Sequence, residues 1–255
     1  MAILLSFVIA LAVNAAFFAI AAARKTDVVT DLSYSLSFAV LAIVLPFVGA
    51  REAVQLIASL LVLIWAIRLG LYLFRRILRI KVDHRFDEMR DRPIRFARFW
   101  LLQAISVAVI MLPVSYLLGR NAAPGFGVWA IAGAAVWLLG LVIEAVADAQ
   151  KSAFKEKREN RGRFIESGLW RYSRHPNYFG EMLVWWGLFV YAVPFLHGVA
   201  FAVVIGPVFI TVLLLFVSGI PLLERSADEK YGNDPAYREY RRRTSVLVPL
   251  PPRMY

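Results

Sequence analysis

Residues 167–181 read Ser-Gly-Leu-Trp-Arg-Tyr-Ser-Arg-His-Pro-Asn-Tyr-Phe-Gly-Glu and lie between two long apolar stretches. Arg171, Tyr172, Arg174, His175, Asn177 and Tyr178 precede an acid, Glu181, that falls about one turn into the next apolar stretch. Polar groups at a bilayer boundary are costly unless something binds them. A cationic, aromatic-rich mouth of this kind suits a large anionic cofactor, because guanidinium groups grip phosphate with two parallel hydrogen bonds. The stretch 155–178 adds Lys155, Arg158, Arg161 and Arg163 among Asn160, Gly162 and Gly168. An ordinary basic loop would explain any one of these arginines. It would not explain Trp170, Tyr172, Tyr178, Asn177 and Glu181.

Two further stripes carry charge into apolar helices. Arg68, Tyr72, Arg75 and Arg79 recur at spacings of three or four and so share one helix face. Arg76 and Arg79, at the outer end, can snorkel to lipid headgroups. Arg68 lies about ten residues inward, roughly 15 Å along a helix, and is expected to face a cavity or a carboxylate. Tyr72, one turn away, can donate a hydrogen bond to a carbonyl oxygen. The second stripe is Glu144, Asp148, Lys151 and Lys155. Oppositely charged neighbours one turn apart stabilise a solvated helix, which suits Asp148 with Lys151. Glu144 lies within the apolar run, and an ion pair with Arg68 would satisfy both groups.

These side chains must be positioned by membrane-spanning helices. The chain is 60% hydrophobic and 18% charged, with a mean hydropathy of +0.63, where soluble domains are about one quarter charged. Apolar segments fall at 2–23, 31–49, 53–79, 99–118, 127–149, 178–197 and 199–219; runs of about 20 residues cross a hydrocarbon core. The expected fold is therefore all-α, a polytopic bundle of about seven transmembrane helices forming one domain, with the third and fifth helices projecting into water. Residues 1–23 carry no positive charge ahead of the apolar run and read as a retained first span. The loops and tail at 24–30, 75–98, 151–174 and beyond 220 contain 26 of the 29 Lys and Arg. The positive-inside rule then places the N-terminus outside and the C-terminus in the cytoplasm. Basic charge in such loops points to membrane lipid as a partner and not to nucleic acid. Cys is absent, which removes thiolate metal sites and cysteine nucleophiles. His84, His175 and His197 are far apart in sequence, so no metal site is expected. The segment 224–245, rich in charge and containing Tyr231, Tyr237 and Tyr240, reads as an interfacial helix covering the same mouth.

The run Asp148-Ala-Gln-Lys-Ser-Ala-Phe-Lys155, followed by Gly168-Leu-Trp-Arg-Tyr-Ser-Arg-His-Pro-Asn-Tyr-Phe-Gly-Glu181, resembles the steroid 5α-reductase superfamily, in particular its bacterial branch. Sterol reductases carry similar Gln-Lys-x-x-Phe-Arg and Arg-His-x-Asn-Tyr segments. The likeness covers about residues 60–250, leaving residues 1–60 as divergent N-terminal spans. It implies NADPH entering from the cytoplasmic side of a bacterial inner membrane, and reduction of an activated C=C bond in a lipophilic small molecule such as a steroid or isoprenoid. By position, Glu144, Asp148, Lys155, Arg163 and Asn177 match cofactor contacts of that family, with Arg75, Lys151, Arg171, Tyr172, Arg174, His175, Tyr178, Glu181 and Tyr231 in the same mouth. Tyr72 and Arg75 match its Tyr-x-x-Arg, in which the tyrosine engages the substrate carbonyl; Glu144 and Arg68 would tune that tyrosine. The Gln-Glu-x-Pro element of the true 5α-reductases has no counterpart, since Arg51-Glu52-Ala-Val lacks both the Gln and the Pro. The same mouth is also similar to isoprenylcysteine and phospholipid methyltransferases, which bind S-adenosylmethionine and share Arg-His-Pro-x-Tyr. A non-enzymatic lipid-binding protein is the remaining reading.

Overall fold

The structure is a computed structural model and describes residues 1–80, 92–121 and 125–253; His84 and the side chain of Arg79 lie outside the described residues. The protein is an all-α polytopic membrane protein. Among the described residues seven helical runs are long and apolar enough to cross a bilayer: Ala2–Arg24, Thr30–Val48, Ala53–Leu78, Pro93–Ile110, Val128–Glu156, Pro176–Phe195 and Gly198–Tyr231. The chain divides into two compact units, one comprising Met1–Ile131 with Leu188–Gly206, the other Ala132–Gly187 with Pro207–Tyr255.

In the first unit α1 (Ala2–Arg24) packs on α2 (Thr30–Val44) and α4 (Pro93–Ile110), and α2 packs on α3 (Ala53–Ile80). Lipid tails are as apolar as leucine, so helices in a bilayer need close packing or hydrogen bonds to associate. Both are present. The Gln103 amide on α4 donates to Asn14 Oδ1 on α1 and Ser33 Oγ on α2, each at 2.8 Å. Asn14 Nδ2 in turn donates to Ser37 Oγ at 3.1 Å, so one polar belt joins three helices. Nearer the end of the bundle, Phe96, Trp100 and Ala21 form an apolar cluster with Phe17, Phe18 and Phe99 around them. Arg76 does not snorkel as its place in the sequence suggests; it pairs with Asp31 at 2.7 Å and ties α3 to α2.

The fourth span lies earlier than the expected 99–118. Pro93 opens α4 at a position where its missing N–H is not needed. The helix ends at Ile110, and a separate short helix, α5 (Leu112–Leu118), begins with Pro113 in its first turn. Proline removes a backbone donor and clashes with the preceding turn, so the apolar run continues where the helix does not.

The second unit is built on α6 (Val128–Glu156), 29 residues long, and α7 (Pro176–Ala192). Their crossing is set by glycines. A Cβ at Gly180 would stand 2.6 Å from both Glu144 N and Gly140 O, and one at Gly187 would stand 2.5 Å from Trp137 N. Gly140 and Gly180 thus bring the two backbones into direct contact and place Glu144 beside the start of α7. The last membrane segment is irregular: a 3-10 turn (Gly198–Val204), α8 (Ile205–Val212), a π-helical stretch (Leu213–Val217) and then α9 (Ile220–Tyr231), with Pro221 in its first turn. The expected single interfacial helix over 224–245 is two helices. α9 stops at Tyr231, and α10 (Pro235–Arg243) restarts after Asp234, whose carboxylate caps it by accepting from Ala236 N at 2.8 Å.

Replacing Gly180 by Ala forces a methyl group onto the α6 backbone, an overpacking cost of about 1–3 kcal/mol. The Gly180→Ala protein should melt several degrees below the parent; an unchanged melting temperature would mean the two helices do not meet there.

Candidate functional site

The residues between α6 and α7 are held by α6 itself. Gln150 Oε1 accepts from Leu169 N at 2.9 Å, and the Trp170 indole donates to Ala147 O at 3.0 Å. Gly168 has φ +62°, and a Cβ there would lie 2.5 Å from the Gln150 amide. The positive φ favours glycine there, and a side chain would also have to displace the Gln150 amide that holds Leu169 N. Trp170 is 3% exposed and packs with Ala147 and Ile165, while Lys151 places its ammonium 4.3 Å from the indole centroid. The loop is thereby delivered to one place: Arg174 and His175, immediately before the first turn of α7.

Glu224 of α9 is the hub of that place. Its carboxylate receives Arg174 Nη1 at 2.5 Å and His175 Nε2 at 2.7 Å, and Arg241 Nε of α10 lies 3.7 Å away. Arg241 also pairs with Asp228 at 2.8 Å. Around the hub stands an aromatic cage. Phe164 packs edge-on against Tyr231 and Tyr237 and tilted against Tyr240. The Tyr240 hydroxyl donates to Trp170 O at 2.7 Å and the Tyr231 hydroxyl to Arg163 O at 3.0 Å. Burial pushes the Tyr240 and Tyr237 phenols up, so both remain protonated donors. The His175 ring stacks on Tyr178 at 5.8 Å.

Burial holds His175 below its usual imidazole range, against the upward pull of Glu224; the ammonium of Lys151 and the guanidinium of Arg174 act with burial. The neutral ring can donate only one N–H. With Nε2–H turned to the carboxylate, Nδ1 is left as a lone-pair acceptor, and that buried atom has no hydrogen-bond partner. Asn177 Oδ1, two residues on, is also buried and without a partner. Buried acceptors are normally satisfied, so this pair asks for a ligand that brings N–H or O–H groups.

The sixteen residues singled out from sequence fall into four sets. Arg174, His175, Asn177, Tyr178, Lys151 and Tyr231 belong to the hub, its cage or its immediate surroundings. Glu144 and Asp148 are buried on α6, 2% and 3% exposed, and Glu181 is half-buried on α7. Lys155, Arg163, Arg171 and Tyr172 are exposed. Arg68, Tyr72 and Arg75 belong to the other unit, where the Arg68 guanidinium lies 5.7 Å from the Tyr72 ring centroid and Arg75 is exposed. A shallow recess of about 340 Å³ opens beside this loop, lined by Gln150, Phe154, Asn160, Ser167 and Gly168 among others. The sequence reading named the 224–245 segment but not Glu224 as a partner of Arg174, which is 50 residues away. The available signal was an acid three residues past Pro221, just where the last apolar run ends.

The sequence pattern of a family described as a protein of unknown function (DUF1295) matches residues 17–244, most of the chain. The chain belongs to the DUF1295 family. No curated protein and no solved structure matches it. The family match takes in α2 to α10, and so includes both the Arg68–Tyr72 stripe and the whole Glu224 hub.

The hub has a pH signature. The folded protein keeps His175 neutral, while the unfolded chain takes a proton below about pH 6.5. This contribution to stability is complete above that pH and is lost as the pH falls through the lowered folded-state value. Melting temperature measured from pH 8 to pH 5 should therefore fall more steeply for the parent than for His175→Gln; parallel curves would contradict a buried neutral imidazole.

Proposed function

We propose that this protein is an NADPH-dependent membrane oxidoreductase that reduces an activated C=C bond, of the enone type, in a lipophilic steroid- or isoprenoid-like molecule. The observation that carries the reading is the pair of buried, unpartnered acceptors, His175 Nδ1 and Asn177 Oδ1, preceded in the sequence by the exposed cations Lys155, Arg163 and Arg171. A nicotinamide dinucleotide bears both complements: amide and amino N–H groups for the acceptors, and phosphates for Arg163, Arg171 and Lys155. The resemblance of 148–155 and 168–181 to the steroid 5α-reductase superfamily supports the same assignment, and the positive-inside distribution supports a cytoplasmic cofactor mouth in a bacterial inner membrane.

Arg163, Arg171 and Lys155 would hold the phosphates, Asn177 and His175 would orient the polar end of the cofactor, and Glu224 keeps the imidazole tautomer that leaves Nδ1 open. When bound, NADPH supplies the hydride. The Tyr72 hydroxyl would donate a hydrogen bond to the substrate carbonyl, and the Arg68 guanidinium, 5.7 Å from the Tyr72 ring centroid, would favour the negative charge that develops on that oxygen.

A second reading has an observation of its own. Arg174 and Arg241, which share the Glu224 carboxylate with His175, are neutralised by Glu224 and Asp228. A locally balanced charge suits the sulfonium of S-adenosylmethionine, and a membrane methyltransferase is the alternative.

Thermal denaturation of the detergent-purified protein with each cofactor separates the two, because a ligand selective for the folded state raises the melting temperature. NADPH should stabilise the parent and S-adenosylmethionine should not; stabilisation by S-adenosylmethionine alone would replace the reductase by the methyltransferase. Tyr72→Phe should keep NADPH stabilisation and lose about a hundredfold in turnover of an enone substrate; equal loss of binding and turnover would remove the role given to its hydroxyl.

A further inference from the structure

Residues 245–253 follow α10 without forming a helix and run back along the segment that leads into His175. Ser245 pairs with Ser173 in an isolated parallel bridge, and its carbonyl accepts from Arg174 N at 2.9 Å. The Leu247 carbonyl accepts from Ser173 Oγ at 2.6 Å, and Leu250 N donates to Tyr172 O at 3.1 Å. Finally Arg253 N donates to Arg243 O at 3.1 Å, closing the segment back on the end of α10. Three prolines, Pro249, Pro251 and Pro252, fix their own φ angles and reduce the freedom this stretch would have when detached. Val246, Val248 and Leu250 are exposed, while Leu247 and Pro249 between them are half-buried, so the segment lies as a ribbon with one edge on the loop.

Ser173 is the joint. It is fully buried, and its hydroxyl does two things at once: it donates to Leu247 O and accepts from His175 N at 3.1 Å. The Ser173 hydroxyl thus links Leu247 of this segment directly to the His175 backbone, beside the Ser245–Arg174 backbone bond.

We propose that residues 245–253 are a strap that holds residues 172–175 in place and so sets the position of the His175 ring, with Ser173 as the positioning residue that links the two. The proposal stands on the fold of this unit and not on the identity of the cofactor. The groups that face the ring are Glu224 from α9, Lys151 from α6, Tyr178 from α7 and Arg174 from its own segment. None of them belongs to the strap, so a change in His175 behaviour on loosening the strap reports position and burial, not the loss of a charged neighbour.

The test compares the parent with Ser173→Ala, with Leu250→Pro, which removes the N–H bonded to Tyr172, and with a chain ending at Thr244. Two readouts apply to each in detergent: the NMR titration of the His175 ring, assigned by its absence in His175→Gln, and the rate of native-state trypsin cleavage after Arg171 and Arg174. The shortened chain should titrate closer to the ordinary imidazole value and be cut on the order of tenfold faster, as expected when a locally protected segment opens more often. Ser173→Ala should move both readouts in the same direction, and Leu250→Pro should speed cleavage after Arg171. The two full-length variants decide the matter should the shortened chain not fold. Unchanged titration and cleavage in both overturns the strap. Faster cleavage in Ser173→Ala with an unmoved His175 titration overturns the positioning role of Ser173.

Discussion

The candidate site depends on one carboxylate. Glu224 gathers Arg174 and His175 from the loop before α7 and lies within reach of Arg241 from α10. Removing such charges from water is expensive, and a buried pair holds only if its geometry and secondary hydrogen bonds are good. Here one acid receives one guanidinium and one neutral imidazole, with a second guanidinium nearby that has its own acid in Asp228. The arrangement balances charge locally and leaves a single consequence for chemistry: the imidazole must present its other nitrogen as an acceptor.

Everything around the hub serves to keep it there. Gln150 and Trp170 anchor the loop on α6, and Gly168 allows the turn that brings them together. Tyr240 reaches back to Trp170 O, so α10 and α6 grip the same short stretch. The glycine contacts of α6 with α7 set the distance at which the loop must close. In the first unit the corresponding constraint is polar: Gln103 satisfies acceptors on two neighbouring helices, which is how a helix trio resists separation in a solvent as apolar as its own surface.

Much of the architecture was legible in the sequence because hydrocarbon thickness dictates the length of each apolar run. The spans at 53–79 and 127–149, expected to project beyond the membrane, are the long helices α3 and α6. The fourth span was misplaced because hydropathy does not register where backbone hydrogen bonding stops; Pro93 and Pro113 decide that, while the arginines of 95–98 hide the helix start. Likewise, composition showed a charged, tyrosine-rich end of the chain but not the Gly232–Asp234 turn that makes it two helices. In the site, Arg174, His175 and Asn177 stood out locally by type and spacing. Glu224 did not, because its role arises from a contact across 50 residues that no periodicity announces. The strap at 245–253 was invisible for a similar reason: its own bonding groups are backbone carbonyls and N–H groups, which do not mark a residue type.

The central claim is that His175 and Asn177, together with Arg163 and Arg171 of the preceding segment, bind a nucleotide. A density map of the detergent-solubilised protein saturated with NADPH tests it most directly. The account predicts phosphate density against Arg163 and Arg171, a polar contact to His175 Nδ1 or Asn177 Oδ1, and an intact Glu224 hub. A map with no nucleotide there, or with the nucleotide bound to another part of the protein, would contradict it.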